Sequence, residues 1–421
     1  MSQIYQAVIV GGGLIGSAMA CSLGSKPHLF KRILLLDGGP STPKNNPVAA
    51  PFQNRVLAVN PASQELLRTL GVWNELNTFP VNRMVVWDSK SNSKIQFEGE
   101  ICSIAENQKI IDSLHHKISQ NSEITFQNNV KIVKCDLPHE EGRPVNLKLN
   151  DGTSISSELV IGADGINSIV REATCSKTLK ANYEQFGLVA TLKFRDISPN
   201  LGTAYQKFLP TGPIALLPLD KEHCSLVWTL PSHKAKEYMA LNDEDFLYKL
   251  NTILSKVSEP SVINEVNRCF DSFMKVQSIN ESEINGLRYN EVFSRAIFPL
   301  GLGHTVNYVN YGAALIGDAA HRIHPLAGLG ANLGFSDVKI LTDKLEETLT
   351  NGDVLGSMTY LKEYESLSQC SNVGPLFMTH MLQRMFCNES QVLAAIRGLG
   401  LNVVNGIKPL KNLIQSAAAN A

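Results

Sequence analysis

The sequence has few cysteines, and none of them stands in a pair that suggests a metal or redox site. Its eight cysteines are scattered along the chain without a C-x-x-C motif. This pattern excludes a zinc-ribbon type of site and a dense disulfide framework, and it is typical of a reducing compartment. The sequence also lacks an H-E-x-x-H motif and a recognisable nucleophile–His–acid order.

Charge of either sign is sparse and balanced. Lysine and arginine number 38 against 39 aspartates and glutamates, so no large basic field indicates a nucleic-acid partner. Hydrophobic residues make up 43% and charged residues 18%, which is typical of a globular chain. A chain of 421 residues is too long for one ordinary core, and we expect two domains of intertwined sequence.

Long hydrophobic runs are missing as well. The one extended uncharged run, Ala7–Ser25, carries glycines at positions 11, 12, 13 and 16, where a membrane helix needs bulky side chains. No basic segment precedes this run, so we interpret it neither as a signal peptide nor as a membrane span. The first predicted strand begins within four residues of Met1, so we expect no transit peptide within these residues, and whether one has been removed stays open.

The same run contains a dinucleotide-binding pattern. An apolar strand over 4–10 leads into G-x-G-x-x-G, a helix follows, and a second apolar strand over 33–36 ends at Asp37. The glycines allow a tight turn and close approach of a pyrophosphate, while the acid binds ribose hydroxyls. The predicted loop residues are Gly11, Gly12, Gly13, Leu14, Ile15 and Gly16.

Two later segments also contain a predicted strand, in each case followed by a glycine and an aspartate. Leu159–Ser168 carries Asp164 and Gly165 near Arg171, and Ala313–Asp337 carries Gly317 and Asp318. In the latter segment a glycine-rich loop precedes a helix predicted from Asn332 to Leu349. A helix N-terminus presents unpaired N–H groups and partial positive charge, which suits an anion or an electron-rich ring that becomes anionic. Taken alone, this segment is also compatible with an ordinary glycine-rich loop.

The three motifs in this order resemble the flavoprotein hydroxylases of the para-hydroxybenzoate hydroxylase type. The resemblance implies FAD as the cofactor, with Asp318 holding the ribityl chain and Arg55 near the flavin and its phosphates. It also implies that Pro325 and the loop residues lie against the isoalloxazine ring, the loop residues being Gly328, Gly330, Ala331 and Asn332. In this sequence Asp37 stands where a glutamate is common, and Leu329 where a glutamine usually separates the two loop glycines.

Further segments resemble the branch of these enzymes that acts in eukaryotic ubiquinone biosynthesis. They are 208–219, 298–304, 400–402 and 409–411. The resemblance implies hydroxylation of a 3-polyprenyl-4-hydroxybenzoate at ring carbon 5, through a flavin C4a-hydroperoxide formed with O2. It also implies ferredoxin and ferredoxin reductase as electron donors and other ubiquinone-biosynthesis proteins as partners in a complex. The implied location is peripheral, on the matrix side of the mitochondrial inner membrane.

The expected fold is α/β, with a Rossmann-like FAD-binding domain, an inserted antiparallel β-sheet substrate domain and C-terminal helices. Short β-rich segments between 186 and 230, broken by turn signals, indicate the inserted sheet, and a helix is expected over 242–270. We assign 1–80, 100–180 and 300–375 to the FAD-binding domain. We assign 81–99 and 181–299 to the substrate domain, and 376–421 to the C-terminal helices.

No side chain is convincingly a general acid or base, so none is assigned a catalytic role. His115 and His116 are adjacent on a predicted helix and point apart. For His321 and His324 we favour packing and hydrogen bonding beside the flavin over metal binding, with His321 orienting the loop. There is no second strand–G-x-G-x-x-G–helix unit, so no separate NADPH domain is predicted, although direct reduction by NADPH stays open.

Three other functions are compatible with a flavin-binding fold. A flavin oxidoreductase or halogenase shares the fold, but a halogenase needs a W-x-W-x-I segment and the three tryptophans lie far apart. A flavin-fold binding protein without redox activity is disfavoured by the intact glycines and Asp318. A member of a biosynthetic complex that keeps FAD only for stability stays open.

Overall fold

The structure is a computed structural model. It describes residues 4–40, 51–91, 93–195, 201–255, 287–324 and 328–386, together with isolated positions between 400 and 415. Two β-sheets organise these residues, one of eight strands and one of nine. The helices are α1 (Leu14–Gly24), α2 (Pro61–Thr69), α3 (Asn107–Ser119), α4 (Ile169–Ala173), α5 (Ser232–Ala240), α6 (Asp243–Ser255), α7 (Gly330–Thr350) and α8 (Met358–Phe386).

The eight-stranded sheet is the dinucleotide-binding half. Its strands are β1 (Ile4–Val10), β2 (Ile33–Leu36), β6 (Ile124–Gln127), β7 (Ile132–Asp136), β8 (Val145–Leu149), β9 (Ser154–Gly162), β15 (Val309–Asn310) and β16 (Ala313–Leu315). Strand β1 pairs in parallel with β2 on one side and β9 on the other. It is apolar throughout its buried part because a central parallel strand is covered on both faces. This pairing brings the ends of β1, β2, β9 and β16 to one edge.

The nine-stranded sheet is the inserted half. Its strands are β3 (Val56–Val59), β4 (Phe79–Asp88), β5 (Lys94–Glu106), β10 (Thr178–Phe194), β11 (Thr203–Leu209), β12 (Gly212–Pro218), β13 (His223–Pro231), β14 (Tyr289–Thr305) and β17 (His321–Arg322). The predicted sheet was antiparallel, and most pairs are, but β11 pairs with β4 in parallel. These two strands are distant in sequence and no hairpin joins them, so nothing forces an antiparallel pairing.

The two faces of the nine-stranded sheet are covered differently. Alternate residues such as Leu188, Leu226 and Trp228 form one core with α5 and α6. On the opposite face, Phe208 and Leu382 of α8 belong to a second apolar cluster. This opposite face is the one turned towards α8 and towards the chain that enters β3.

The predicted helices are found with two differences. The helix predicted over 332–349 is α7, which begins two residues earlier. The helix predicted over 242–270 is observed as α6 up to Ser255, and the remainder lies outside the described residues. The boundary placed at 375/376 falls inside α8, which is continuous through Pro375. Among the described helices, none is long and apolar enough to cross a membrane.

Candidate functional site

The loop between β1 and α1 closes tightly against its neighbours. Gly11 has a φ of +107°, and a Cβ there would overlap the backbone carbonyl of Ala163 at the end of β9. A Cβ on Gly16 would overlap the carbonyl oxygen of Gly11. Only glycine therefore lets α1 approach the strand this closely and lets β1 and β9 end side by side.

Gly13 differs from these two glycines because no atom lies within 4 Å of where its Cβ would be. It is the N-cap of α1, and no side chain caps that helix end. Leu14 and Ile15 form the first turn, so their N–H groups are free to meet an anion. Asp37 lies beside this opening, since a Cβ on Gly12 would be 2.7 Å from its Oδ2.

His115 of α3 contacts this loop, and the sequence did not predict this contact. Its Nε2 lies 3.0 Å from the carbonyl oxygen of Gly12 and 3.0 Å from the hydroxyl of Ser17. Helix α3, which carries His115, packs along α1. The signal in the sequence was weak, because a histidine in an amphipathic helix does not reveal which distant loop it meets.

The second motif places a carboxylate with an unused acceptor at the same edge. Asp164 accepts a hydrogen bond from the N–H of Ile169 through Oδ2, at 2.8 Å. Its Oδ1 is buried and has no hydrogen-bond partner among the described residues. Burial raises the pKa of Asp164, against the opposing effect of hydrogen bonds from Ser168 and Ile169. An unpaired buried acceptor beside Gly165, whose φ is +77°, fits a ligand hydroxyl.

Arg171 joins the second motif to the third. Its guanidinium donates to the carbonyl of Ile166 at 2.5 Å and to the carbonyl of Ala319 at 2.9 Å. Ile166 follows Gly165, and Ala319 follows Asp318. The planar fork of arginine thus holds the two turns at a fixed separation.

The third motif contacts the first through Ile15. Gly317 adopts a φ of +58°, and a Cβ there would be 3.3 Å from Ile15. A Cβ on Gly334 of α7 would be 2.6 Å from the same side chain. Asp318 is exposed beside this contact. The three motifs therefore meet at one edge of the eight-stranded sheet.

The start of α7 forms the remaining side of the site. Gly328 has a φ of +63°, and the N-cap, Leu329, provides no side-chain cap for a first turn that contains Gly330 and Ala331. Asn332 directs its amide to the start of α2, where Oδ1 accepts from the N–H of Asn60 at 3.1 Å and Nδ2 donates to the carbonyl of Ala58 at 2.9 Å. Pro325 lies outside the described residues.

Arg55 lies at the boundary between the two sheets. It is exposed and directly precedes β3, and its carbonyl accepts from the N–H of Asn107 at 3.0 Å. The neighbouring Asn54 accepts a hydrogen bond from Ser294 of β14 at 2.6 Å. Within the described part of the chain, the Arg55 side chain forms no hydrogen bond or ion pair with the three motifs.

His321 and His324 have different environments. His321 is buried and hydrogen-bonded, with Nε2 2.5 Å from Oδ2 of Asp337, and its role in orienting the loop stays a prediction. His324 is fully buried against Tyr183, with ring centroids 5.2 Å apart, and neither ring nitrogen has a partner among the described residues. Burial, aided by Arg322, lowers the pKa of His324 to about 4. In the described ranges, no group of three side chains could hold a metal ion.

Relatives of known activity share nearly the whole chain. A family model described as an FAD binding domain matches residues 5–278 and 287–369. The chain is 38% identical to the mitochondrial ubiquinone biosynthesis monooxygenase COQ6 of Caenorhabditis elegans, over 99% of this chain and 96% of that protein. It is 35% identical to COQ6 of Homo sapiens, over 99% of this chain and 92% of that protein.

Solved structures share the fold at low identity. PqsL, a probable FAD-dependent monooxygenase from Pseudomonas aeruginosa, superposes with a TM-score of 0.71 at 18% identity, covering 95% of this chain and 99% of that chain. The p-nitrophenol 4-monooxygenase PnpA from Pseudomonas putida gives 0.70 at 15% identity, covering 100% and 99%. The predicted α/β fold is thus confirmed, and the open N-terminus of α1 and the unused oxygen of Asp164 fit FAD.

Proposed function

Because this chain belongs to the COQ6 ubiquinone biosynthesis monooxygenases and carries their FAD-binding domain, we propose that it hydroxylates ring carbon 5 of a 3-polyprenyl-4-hydroxybenzoate. The observation that carries the proposal is similarity to COQ6 proteins over 99% of the chain, together with three flavin motifs that meet at one sheet edge. The chain is an FAD-dependent monooxygenase, and O2 is the second substrate.

The residues of the site divide the work of holding FAD. The first turn of α1 beside Gly13 receives the pyrophosphate, and Asp37 receives the ribose hydroxyls. Asp318, exposed at the third motif, would hold the ribityl chain, and the uncapped start of α7 would stabilise the ring. When bound, FAD supplies the electron transfer and the O2 chemistry, and the protein supplies orientation and electrostatic stabilisation.

A row of small apolar side chains supports an apolar substrate. These side chains lie on the same face of four neighbouring strands, and each is paired in register with the next. The row consists of Val189, Ala215, Val227 and Ala296. Three of the four remain partly exposed although their strands are central in the sheet. The row lies between a cluster that includes Phe52 and a cluster that includes Leu382. A polyprenyl chain would bury this surface.

A polar group stands at the end of the row nearer Phe52. Ser225 is fully buried on the same face as Val227, and its hydroxyl has no partner within the described residues. It pairs in register with Thr191, whose hydroxyl lies 3.5 Å from Oδ1 of Asn54. A row of small apolar side chains that ends at the hydroxyl of Ser225 suits a substrate that has a ring with a polar substituent and a long apolar tail.

The electron donors belong to the same proposal. The sequence contains one strand–G-x-G-x-x-G–helix unit, which FAD uses, so a nicotinamide would lack a fold of its own. We therefore favour a ferredoxin and its reductase as donors. We also favour a peripheral position on the matrix side of the mitochondrial inner membrane, within a complex of ubiquinone-biosynthesis proteins. Exposed apolar residues on α8, namely Leu367, Val373, Phe377 and Met378, support a contact with a membrane or partner.

Anaerobic reduction followed by oxygen tests the proposal. The purified, FAD-loaded protein is mixed with NADPH alone or with ferredoxin, its reductase and NADPH, each with and without a prenylated 4-hydroxybenzoate. We expect flavin bleaching only with the ferredoxin pair, and a product heavier by one oxygen atom that carries label from 18O2. Product labelled from water, or no product, contradicts the proposal.

Two other results point to different proteins. Rapid bleaching by NADPH alone contradicts the ferredoxin part and favours direct reduction. Full FAD loading with no reduction by either donor favours a member of a biosynthetic complex that keeps FAD only for stability.

A further inference from the structure

Helix α7 carries a carboxylate within its buried face. Asp337 is 1% exposed and stands next to Val338 on the face that also buries Leu341. Burying a carboxylate is costly unless charge and hydrogen bonds compensate it. Among the described residues no lysine or arginine forms an ion pair with Asp337, so the compensation comes from other donors.

Four donors converge on Asp337, two on each oxygen. Oδ2 accepts from the N–H of Gly317 at 2.8 Å and lies 2.5 Å from Nε2 of His321. Oδ1 accepts from the hydroxyl of Ser368 and from Nδ2 of Asn372, the latter at 3.2 Å. The first pair of donors comes from the third flavin motif, and the second pair comes from α8.

The hydrogen bond from the N–H of Gly317 to Asp337 affects the turn that carries Asp318. Gly317 has a φ of +58°, and the residue that follows it is the exposed Asp318. Gly334, one helical turn before Asp337, lets α7 approach this turn, because a Cβ there would be 3.6 Å from Cα of Gly317. The N–H bond to Asp337 is the polar link that completes this approach.

We infer that Asp337 is a positioning residue for the flavin turn, whose carboxylate fixes Gly317 and His321 and ties their arrangement to Ser368 and Asn372 of α8. The inference rests on the proposed binding of FAD at this turn. Asp337 acts through Gly317, which precedes Asp318, and not through a contact with the cofactor itself.

The pair with His321 gives the arrangement a dependence on pH. Burial lowers the pKa of His321, but the charge and hydrogen bond of Asp337, with the charge of Asp318, outweigh burial and leave it raised above 6.5. The pair therefore contributes fully below the ordinary pKa and is lost as pH rises through the raised one. The other titratable groups facing this pair from neighbouring elements are His304, Tyr308 and Tyr364.

The substitution Asp337→Asn tests the inference, with Glu365→Gln as the matched control. Glu365 is also a buried carboxylate that accepts from two backbone N–H groups, but these belong to Tyr308 and Val309 and not to the flavin turn. FAD dissociation constants are measured from flavin fluorescence between pH 6 and 9. We expect Asp337→Asn to weaken FAD binding at least about tenfold at pH 6 and to flatten its pH profile.

The control and a second variant separate positioning from loss of stability. We expect Glu365→Gln to lower the melting temperature while keeping the wild-type pH profile. If Asp337→Asn does not fold, Ser368→Ala is measured instead, and it should weaken FAD binding while leaving the pH profile in place. A pH profile unchanged in Asp337→Asn, or FAD affinity unchanged in Ser368→Ala, overturns the inference. Wild-type protein that binds no FAD overturns the proposed function instead.

Discussion

Gly16 and Gly13 stand three residues apart in the same loop and are glycine for different reasons. At Gly16 a Cβ would overlap the carbonyl oxygen of Gly11, so the folded loop itself requires glycine. At Gly13 no atom lies within 4 Å of the Cβ position, and the φ of −73° is open to any residue. The space at Gly13 is therefore useful to a ligand and not to the fold.

This contrast predicts opposite outcomes for two alanine variants. Gly16→Ala should lower the free energy of unfolding of the FAD-free protein by about 1 to 3 kcal/mol, because the backbone must shift. Gly13→Ala should leave that stability within about 0.5 kcal/mol and weaken FAD binding about tenfold. Urea unfolding and flavin fluorescence measure the two quantities. Equal loss of stability in both variants would contradict the assignment.

His324 predicts a second effect at this scale. Its pKa is lowered to about 4 by burial, so between pH 6.5 and 4 the unfolded chain takes up a proton that the folded chain does not. The stability contributed by neutral His324 therefore decreases as the pH is lowered through this window, by up to about 1.4 kcal/mol per pH unit. His324→Leu should remove this part of the acid sensitivity, seen as a smaller stability difference between pH 7 and pH 5.

The control is His233→Leu, at an exposed histidine, and it should leave the acid sensitivity as in the wild type. An acid profile of His324→Leu that overlays the wild type would show that His324 is not the group responsible.

The elements of the site explain what the sequence could and could not predict. The glycine-rich turns, the strands before them and α7 were predicted because each is a local pattern of periodicity and turn residues. His115 and Asp337 were missed because their partners, Gly12 and Gly317, are on other elements. The domain boundary placed at 375/376 stays a prediction, and the sequence did not reveal that α8 is continuous through Pro375.

The small side chains of the nine-stranded sheet predict a dependence on tail length. Val227→Phe places a bulkier side chain in the row of small apolar side chains and leaves less space for a substrate tail. The KM for a long-tailed prenylated hydroxybenzoate should therefore rise about tenfold or more, while the KM for a short-tailed analogue changes little. FAD affinity should be unaffected. Leu201→Phe, at an exposed leucine beside a pocket on the opposite face, is the control. Equal effects on both tail lengths would place the tail elsewhere.

At the scale of the molecule, the chain passes repeatedly between the two sheets. Within the described residues it crosses five times, the last crossings being those from β14 to β15 and from β16 to β17. Neither half is a continuous stretch, and β9 depends on β16, which comes about 150 residues later.

This interleaving predicts how fragments behave. Residues 1–175 expressed alone should bind no FAD, because β16 and α7 are missing from that piece. Expressed together with residues 176–421, they should form a yellow complex that co-purifies. Size-exclusion chromatography with absorbance at the flavin band is the measurement. A 1–175 fragment that binds FAD alone would contradict the shared architecture.

The distance along the chain between Gly11 and Gly317 also sets the order of events during synthesis. Gly317 contacts Ile15, in the same motif as Gly11, yet about 300 residues separate the two glycines, which is about 15 to 60 seconds of translation. The first loop therefore leaves the ribosome long before the turn that completes its site. Until then β1 and β2 have buried surfaces without neighbours, so the nascent chain needs protection, and cofactor uptake is one of the last steps in its maturation.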